Sequence, residues 1–195
     1  AGVCAGTGKG WAAKISGSDA GEHFCALGTD AKAYCWGSGG NGRLGDGATS
    51  SNYKPTVVVG LTNLKDVVAC DTHSCALTKT GKAFCWGDNS DGQLGNGTSS
   101  FTSVTTPAAV VVSPTFLQLA CGQDYTCGLL PDGKVKCWGS GSNGRLGYGV
   151  NSSTDQPKGV TVKGLTGVAA IEGFDDHACA IKADGTVWCW GENYE

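Results

Sequence analysis

Short apolar runs separated by polar, glycine-rich segments dominate this chain, and the runs have the length of β-strands. The valine-rich stretches 57–59 and 110–112 are typical, and the residues that bound such runs are Gly, Asn, Asp, Ser and Pro. Runs rich in β-branched and aromatic residues between such breakers are typical of strands. Apolar positions with a period of 3.6 residues do not extend over any useful length. The pattern therefore predicts an all-β protein.

A strand-rich unit recurs four times. The triplet Cys-Trp-Gly begins at residues 35, 85, 137 and 189, with spacings of 50, 52 and 52 residues. A period near 40 to 50 residues built from short strands is typical of β-propeller blades. The hairpin units lie near residues 23–47, 73–97, 125–149 and 177–195. We therefore expect a repeat domain over 23–195, preceded by an N-terminal segment, 1–22, that matches the repeat poorly.

A second cysteine lies ten residues before each of these triplets, with a turn between the two. Pro131-Asp132-Gly133 suits a three-residue hairpin loop that ends in a left-handed glycine. In the first copy Ala31 stands where glycine is favoured, which predicts slight backbone strain. Counting outward from the turn places the two cysteines opposite each other, at a separation that a disulfide accepts. The predicted bridges are Cys25–Cys35, Cys75–Cys85, Cys127–Cys137 and Cys179–Cys189.

Three of the 11 cysteines have no hairpin partner, namely Cys4, Cys70 and Cys121. Because the total is odd, at least one thiol is free or bonded to another chain, and all three are candidates for that role. Four disulfides predict an oxidising compartment: extracellular space, periplasm or an organelle lumen. The sequons at Asn96 and Asn151 are candidate glycosylation sites and are compatible with a secretory route.

The charge and hydropathy of the chain disfavour two classes of partner. The net charge is −3 and the isoelectric point is near 5.6, so the basic surplus of a nucleic-acid binder is missing. Apolar runs stay well below the roughly 18 residues of a membrane span. We therefore expect neither nucleic-acid binding nor membrane insertion.

Four segments carry a family resemblance: "HFCALGTDAKAYCWGSGGNGRLGDG", "HSCALTKTGKAFCWGDNSDGQLGNGT", "YTCGLLPDGKVKCWGSGSNGRLGYG" and the partial "HACAIKADGTVWCWGEN". With these segments, the chain resembles the regulator of chromosome condensation repeat family. The resemblance implies a β-propeller of four-stranded antiparallel blades, and the cysteine pairs make the chain similar to secreted, cysteine-rich members. Four repeats fit a ring that is incomplete or part of a larger propeller.

The histidines and tryptophans of the repeat are interpreted as structural. Each histidine precedes a hairpin cysteine by two residues, and such a position recurs blade after blade, whereas a metal or catalytic site requires one asymmetric cluster. Two weaker hypotheses are zinc binding by Cys70, His73 and Cys75 and calcium binding by the loop 88–92. Trp11 and Trp188 lie outside the repeat register and are the better candidates for an exposed contact. The structural positions are His23, His73, His177, Trp36, Trp86, Trp138 and Trp190.

No nucleophile elbow and no phosphate-binding loop occurs in the sequence, so we expect no enzyme, no catalytic residue, no bound metal and no cofactor. The leading hypothesis is a non-enzymatic protein-binding or scaffold module, serving as an accessory subunit of a larger complex. Its partner, another protein or protein complex, is expected to contact the blade loops 46–54, 96–106 and 148–156, which differ between copies. The alternative is a carbohydrate-binding, lectin-like module. Nuclear nucleotide exchange is disfavoured by the predicted disulfides.

Overall fold

The computed structural model describes residues 10–18, 22–150 and 154–193, and these residues form antiparallel sheets without any α-helix. The all-β class predicted from the sequence is confirmed. Two single turns of 3₁₀ helix, Gly40–Gly42 and Ser142–Gly144, follow the third strands of the first and third sheets. The strands are β1 (Ala12–Gly17), β2 (His23–Gly28), β3 (Ala33–Gly37), β4 (Asn52–Val57), β5 (Leu64–Ala69), β6 (His73–Thr78), β7 (Ala83–Asn89), β8 (Ser100–Ala109), β9 (Gln118–Cys121), β10 (Tyr125–Leu129), β11 (Val135–Gly139), β12 (Gln156–Thr161), β13 (Val168–Phe174), β14 (His177–Lys182) and β15 (Val187–Gly191).

The strands form four meandering sheets, and each sheet is one propeller blade. Their orders are β1-β2-β3-β4, β5-β6-β7-β8, β9-β10-β11-β12 and β13-β14-β15. The fourth blade has three strands within the described residues. The innermost strand of the first blade, Ala12–Gly17, lies before residue 23, in the segment that matches the repeat poorly in sequence.

Each blade centres on a hairpin whose register places two cysteines opposite each other. In the third blade the Leu130 amide donates to the Lys134 carbonyl at 2.8 Å, which closes the turn, and Cys127 pairs with Cys137. All four predicted pairs are disulfide-bonded, with Cα–Cα distances of 4.0 to 4.1 Å. Ala31 has a φ of 59°, the left-handed conformation that the turn requires.

A fifth disulfide corrects an expectation. Cys70 and Cys121, considered as free or intermolecular thiols, are bonded to each other, with their Cα atoms 5.7 Å apart. They lie at equivalent positions, at the ends of the innermost strands of neighbouring blades, so packing of the two blades brings them together. This bridge joins the second blade to the third. Cys4 lies outside the described residues.

The hydrophobic core is divided among the junctions between blades. One cluster joins the first and second blades around Leu44 and Trp86, a second joins the next pair around Leu94 and Trp138, and a third includes Leu146. A sheet buries an apolar face only against another layer, so each blade depends on its neighbour. On the first and fourth blades, the apolar side chains of Phe24, Val187 and Trp188 stay 47 to 64 % exposed.

The two ends of the blades differ. Loops joining first to second strands and third to fourth strands lie at one end, which we call the loop face. The turns between second and third strands, and the connections from one blade to the next, lie at the other end, the hairpin face. Every innermost strand runs from the hairpin face to the loop face, so the carboxyl ends of all four meet around the centre of the loop face.

Candidate functional site

The repeated histidines bond one blade to the next. His23 Nε2 lies 2.7 Å from the Ser74 hydroxyl, and His73 Nε2 lies 2.8 Å from the Thr126 hydroxyl. Both hydroxyls donate their hydrogen to a backbone carbonyl of the preceding blade, so each Nε2 must be the donor. These two histidines therefore hold blades together. His177, in the fourth blade, is exposed, with its ring 6.0 Å from that of Phe174.

Burial keeps His73 neutral. Its side chain is fully buried, its Nδ1 has no hydrogen-bond partner, and desolvation lowers its pKa to about 3, with smaller contributions from the nearby His23 and Arg43. A histidine that stays neutral and donates a fixed hydrogen bond is a structural residue. A general base poised near neutral pH has a different environment.

The Gly-x-Leu-Gly loop of one blade packs against the tryptophan side chain of the next blade. Trp86 Nε1 donates to the Arg43 carbonyl at 2.9 Å, and Trp190 Nε1 donates to the Arg145 carbonyl at 3.0 Å. Gly45, at a φ of 67°, faces the Trp86 ring so closely that an added Cβ would lie 2.6 Å from Nε1. Among the described residues, no Gly-x-Leu-Gly loop packs against Trp36, and its ring stacks on Phe24.

Both arginines of the chain are used inside these loops. Arg43 donates from Nη1 to the Asp71 carbonyl at 2.9 Å, and Arg145 donates from Nη1 to the Gln123 carbonyl at 2.8 Å. Arg145 also forms a buried ion pair with Asp176, at 2.8 Å. Each guanidinium therefore links its loop to the neighbouring blade.

The ligand atoms of the two candidate metal sites already bond to other groups of the protein. Ligand atoms of Cys70, His73 and Cys75 lie within 4.8 Å of one another. Both sulfur atoms belong to disulfides, and a zinc ligand must be a thiolate, so this trio offers no thiolate while the bridges are intact. In the loop 88–92, the Asp88 carboxylate accepts hydrogen bonds from Ser90, at 3.0 Å, and from the Asn89 amide. The loop therefore closes on its own hydrogen bonds.

A cleft opens at the centre of the loop face. Its volume is about 140 Å³, and the carboxyl ends of β1, β5, β9 and β13 line it. The walls include Val68, Ala120 and Phe174, and the polar rim includes Glu172 and Asp175. Glu172 and Asp175 are exposed, and Phe174 is 51 % exposed. No local signal in the sequence marks this cleft, because its walls come from four segments about 50 residues apart.

Each loop expected to contact a partner begins at the loop face. Near the loops, Tyr53 is 80 % exposed and Phe101 is 94 % exposed. Asn96 accepts hydrogen bonds from the backbone and hydroxyl of Thr98, at 3.1 and 2.9 Å, so this sequon sits in an ordered turn. Asn151 lies outside the described residues. Trp188 is 47 % exposed, and Trp11 packs edge-on against Tyr34. Nowhere in the described chain is there a helix long and apolar enough to cross a bilayer.

Comparisons with known proteins agree with this architecture. In human E3 ubiquitin-protein ligase HERC2, 183 residues are 32 % identical to this chain, covering 92 % of it and 3 % of HERC2. The ultraviolet-B receptor UVR8 of Arabidopsis thaliana is 28 % identical over 173 residues, covering 87 % of this chain and 39 % of the receptor. The chain thus spans well under half of either relative.

Solved structures show the same blade arrangement. Yeast RCC1 (Prp20) bound to Kap60 superposes with a TM-score of 0.82 at 19 % identity, covering 96 % of this chain and 45 % of that one. Human WBSCR16 gives a TM-score of 0.81 at 25 % identity, covering 95 % and 48 %. Sequence profiles described as "Regulator of chromosome condensation (RCC1) repeat" match residues 30–77, 80–129, 64–93, 116–145 and 168–195. The chain therefore belongs to the regulator of chromosome condensation (RCC1) repeat family.

Proposed function

We propose that this chain is a non-enzymatic protein-binding module that contacts its partner through the loop face. The observation that carries the proposal is the position of the variable loops. The segments 46–54, 96–106 and 148–156 differ between copies, and all three begin at one end of a repeated framework. Variable loops held on a rigid sheet framework are where such folds place their contacts.

Exposed aromatic side chains support this choice of surface. Phe101, at the start of β8, is almost fully exposed, and Tyr53 occupies the second position of β4. Large apolar side chains in solvent often mark interaction sites, and aromatic residues are enriched at protein interfaces. A propeller of the family that is solved with a bound protein, yeast Prp20 with Kap60, further supports a protein as partner.

The compartment is the second part of the proposal. Five disulfides, four within hairpins and one between blades, favour an oxidising environment such as the extracellular space, the periplasm or an organelle lumen. In that environment the module serves as a scaffold or accessory subunit of a larger complex.

Site-specific crosslinking tests the proposed surface. A photo-crosslinking amino acid replaces Ser99, exposed on the loop face, or Lys79, exposed on the hairpin face as the matched control. Each variant is irradiated in an extract from the native source, and the products are identified by mass spectrometry. We expect a protein partner from position 99 and none from position 79. Crosslinks from position 79 alone would place the contact on the hairpin face and would refute the proposed surface. Binding of glycans without any crosslinked protein would favour the lectin-like alternative.

A further inference from the structure

The charged residues of this chain are sorted between the two faces. Among the residues that the structure describes, the loop face, taken as its loops and the two strand residues next to each, carries ten carboxylates and two arginines, a formal charge of −8. The arginines, Arg43 and Arg145, point into the blade junctions, where they bond to backbone carbonyls. The ten carboxylates are those of Glu22, Asp46, Asp71, Asp88, Asp91, Asp124, Asp155, Asp175, Asp176 and Glu192.

The hairpin face has the opposite sign. Defined in the same way over residues 10–18, 22–150 and 154–193, it carries eight lysines and three aspartates, a formal charge of +5. Each of the three aspartates, in the turns of three hairpins, lies within 3.7 Å of a lysine ammonium group. The lysines are Lys32, Lys65, Lys79, Lys82, Lys134, Lys136, Lys163 and Lys182. A net charge of −3 for the whole chain therefore conceals a molecule with one strongly acidic face.

The central cleft lies in the middle of the acidic face. Three of its lining residues are carboxylates, Asp71, Glu172 and Asp175, and none is Lys, Arg or His. Its volume of about 140 Å³ is close to that of a cavity that holds one benzene ring and below the range of pockets for drug-sized ligands. The cleft therefore has room for one side chain.

The walls of the cleft suit a long basic side chain in particular. Lysine and arginine have an aliphatic stem that packs on apolar surface and a charged head that stays polar. Val68 and Ala120 supply apolar wall, Phe174 offers an exposed ring, and the two exposed carboxylates stand on the rim. A cation above an aromatic ring gains further attraction.

We propose that the protein partner presents a lysine- or arginine-rich segment to the loop face and inserts one basic side chain into the cleft beside Glu172 and Asp175. This inference rests on the proposed function and names the chemistry of the partner. The acidic face attracts the segment from a distance, and the opposite charge of the hairpin face orients the encounter. The apolar cleft then retains one side chain.

Peptide binding to the intact chain tests the inference. The probe is a short fluorescent peptide in which Lys and Arg alternate with Gly and Ser, and a second peptide replaces each basic residue by Glu. Fluorescence anisotropy gives Kd at about 50 mM and about 500 mM salt, since exposed charges are screened strongly over this range. We expect the basic peptide to bind more tightly at low salt and the acidic peptide not to bind.

Matched variants separate the cleft from general attraction. The double variant Glu172→Gln/Asp175→Asn removes two rim charges, and Asp132→Asn/Asp184→Asn removes two charges from the hairpin face. We expect the first to weaken binding about tenfold and the second to leave Kd unchanged, from the usual strength of exposed charge pairs. Asparagine tolerates the left-handed backbone at position 175, where φ is 38°.

Two results would overturn the inference. One is an equal loss of affinity in both double variants, which would show that affinity depends on the net charge of the chain and not on the cleft. The other is failure of the basic peptide to bind at low salt. If crosslinking from position 99 still captures a protein in that case, the proposed function stands and only the basic chemistry of the partner is wrong. If neither experiment succeeds, both proposals fail.

Discussion

The disulfide between Cys70 and Cys121 should contribute more stability than any hairpin disulfide. It links residues 51 apart, whereas each hairpin bridge links residues 10 apart. A crosslink stabilises the fold chiefly by restricting the unfolded chain, and the restriction grows with the logarithm of loop length. The test replaces both cysteines in the variant Cys70→Ser/Cys121→Ser.

The magnitude follows from the two loop lengths. In the chain-entropy relation, the 51-residue loop corresponds to about 4.1 kcal/mol at 25 °C and the 10-residue loop to about 2.7 kcal/mol. The Cys75–Cys85 bridge shortens the path inside the larger loop to about 42 residues, which lowers the first value by about 0.2 kcal/mol. A difference of about 1.2 kcal/mol between the two double variants remains, because all four sulfur atoms are similarly buried.

Equilibrium unfolding in guanidinium chloride without reductant measures the difference. Cys75→Ser/Cys85→Ser is the control, since it removes a bridge of the same chemistry from a neighbouring position. The free energy of unfolding should fall by about 4 kcal/mol in the variant that lacks the bridge between blades and by about 2.7 kcal/mol in the control. An equal or larger loss in the control would refute the entropic reasoning and would point to native packing around the hairpin.

Three further predictions concern single positions. Ala31→Gly relieves a left-handed alanine and should stabilise the fold by about 0.5 to 1 kcal/mol, whereas Gly185→Ala, where space is open, should destabilise it by a similar amount in thermal melts. Gly45→Ala should lower the free energy of unfolding by about 3 kcal/mol, because the added Cβ clashes with Trp86 and the backbone is left-handed. Gly47→Ala, with nothing nearby, should lower it by about 1 kcal/mol through backbone strain alone, and chemical denaturation compares the two variants. His73 has a folded pKa of about 3, below its unfolded value, so the unfolded state binds the proton first. Stability should be complete above about pH 6.5 and fall by about 1.4 kcal/mol per pH unit toward pH 3, and His73→Gln should flatten this slope; persistence of the full slope in the variant would assign it to other groups.

Local features of the fold could be predicted from the sequence because they depend on short-range counting. The turn Pro131-Asp132-Gly133 sets the hairpin register, and the register brings Cys127 opposite Cys137. The strain at Ala31 followed from the same comparison of copies. The bond between Cys70 and Cys121 depends instead on how two blades pack, although its separation of 51 residues already matched the repeat.

The cleft and the sorting of charge could not be predicted in the same way. Glu172 and Asp175 have no motif around them, and they become part of a site only when four distant strand ends converge. The acidic residues look evenly scattered along the chain, because the strands carry successive loops alternately to opposite ends. The net charge alone therefore does not reveal that the two faces of the molecule carry opposite charges.

The hydrogen bonds between blades have a consequence for how such a chain can grow by duplication. The first and second junctions use the same pair, a histidine ring against a Ser74 or Thr126 hydroxyl, so a copied second blade would find matching partners on both sides. The third junction is different, since the Tyr125 hydroxyl donates to the His177 carbonyl at 2.6 Å. A copied third blade would still offer a backbone carbonyl to Tyr125, but it would place Thr126 where the present chain has Ala178. The second blade is thus the interchangeable unit of this chain, and the third is a specialised one.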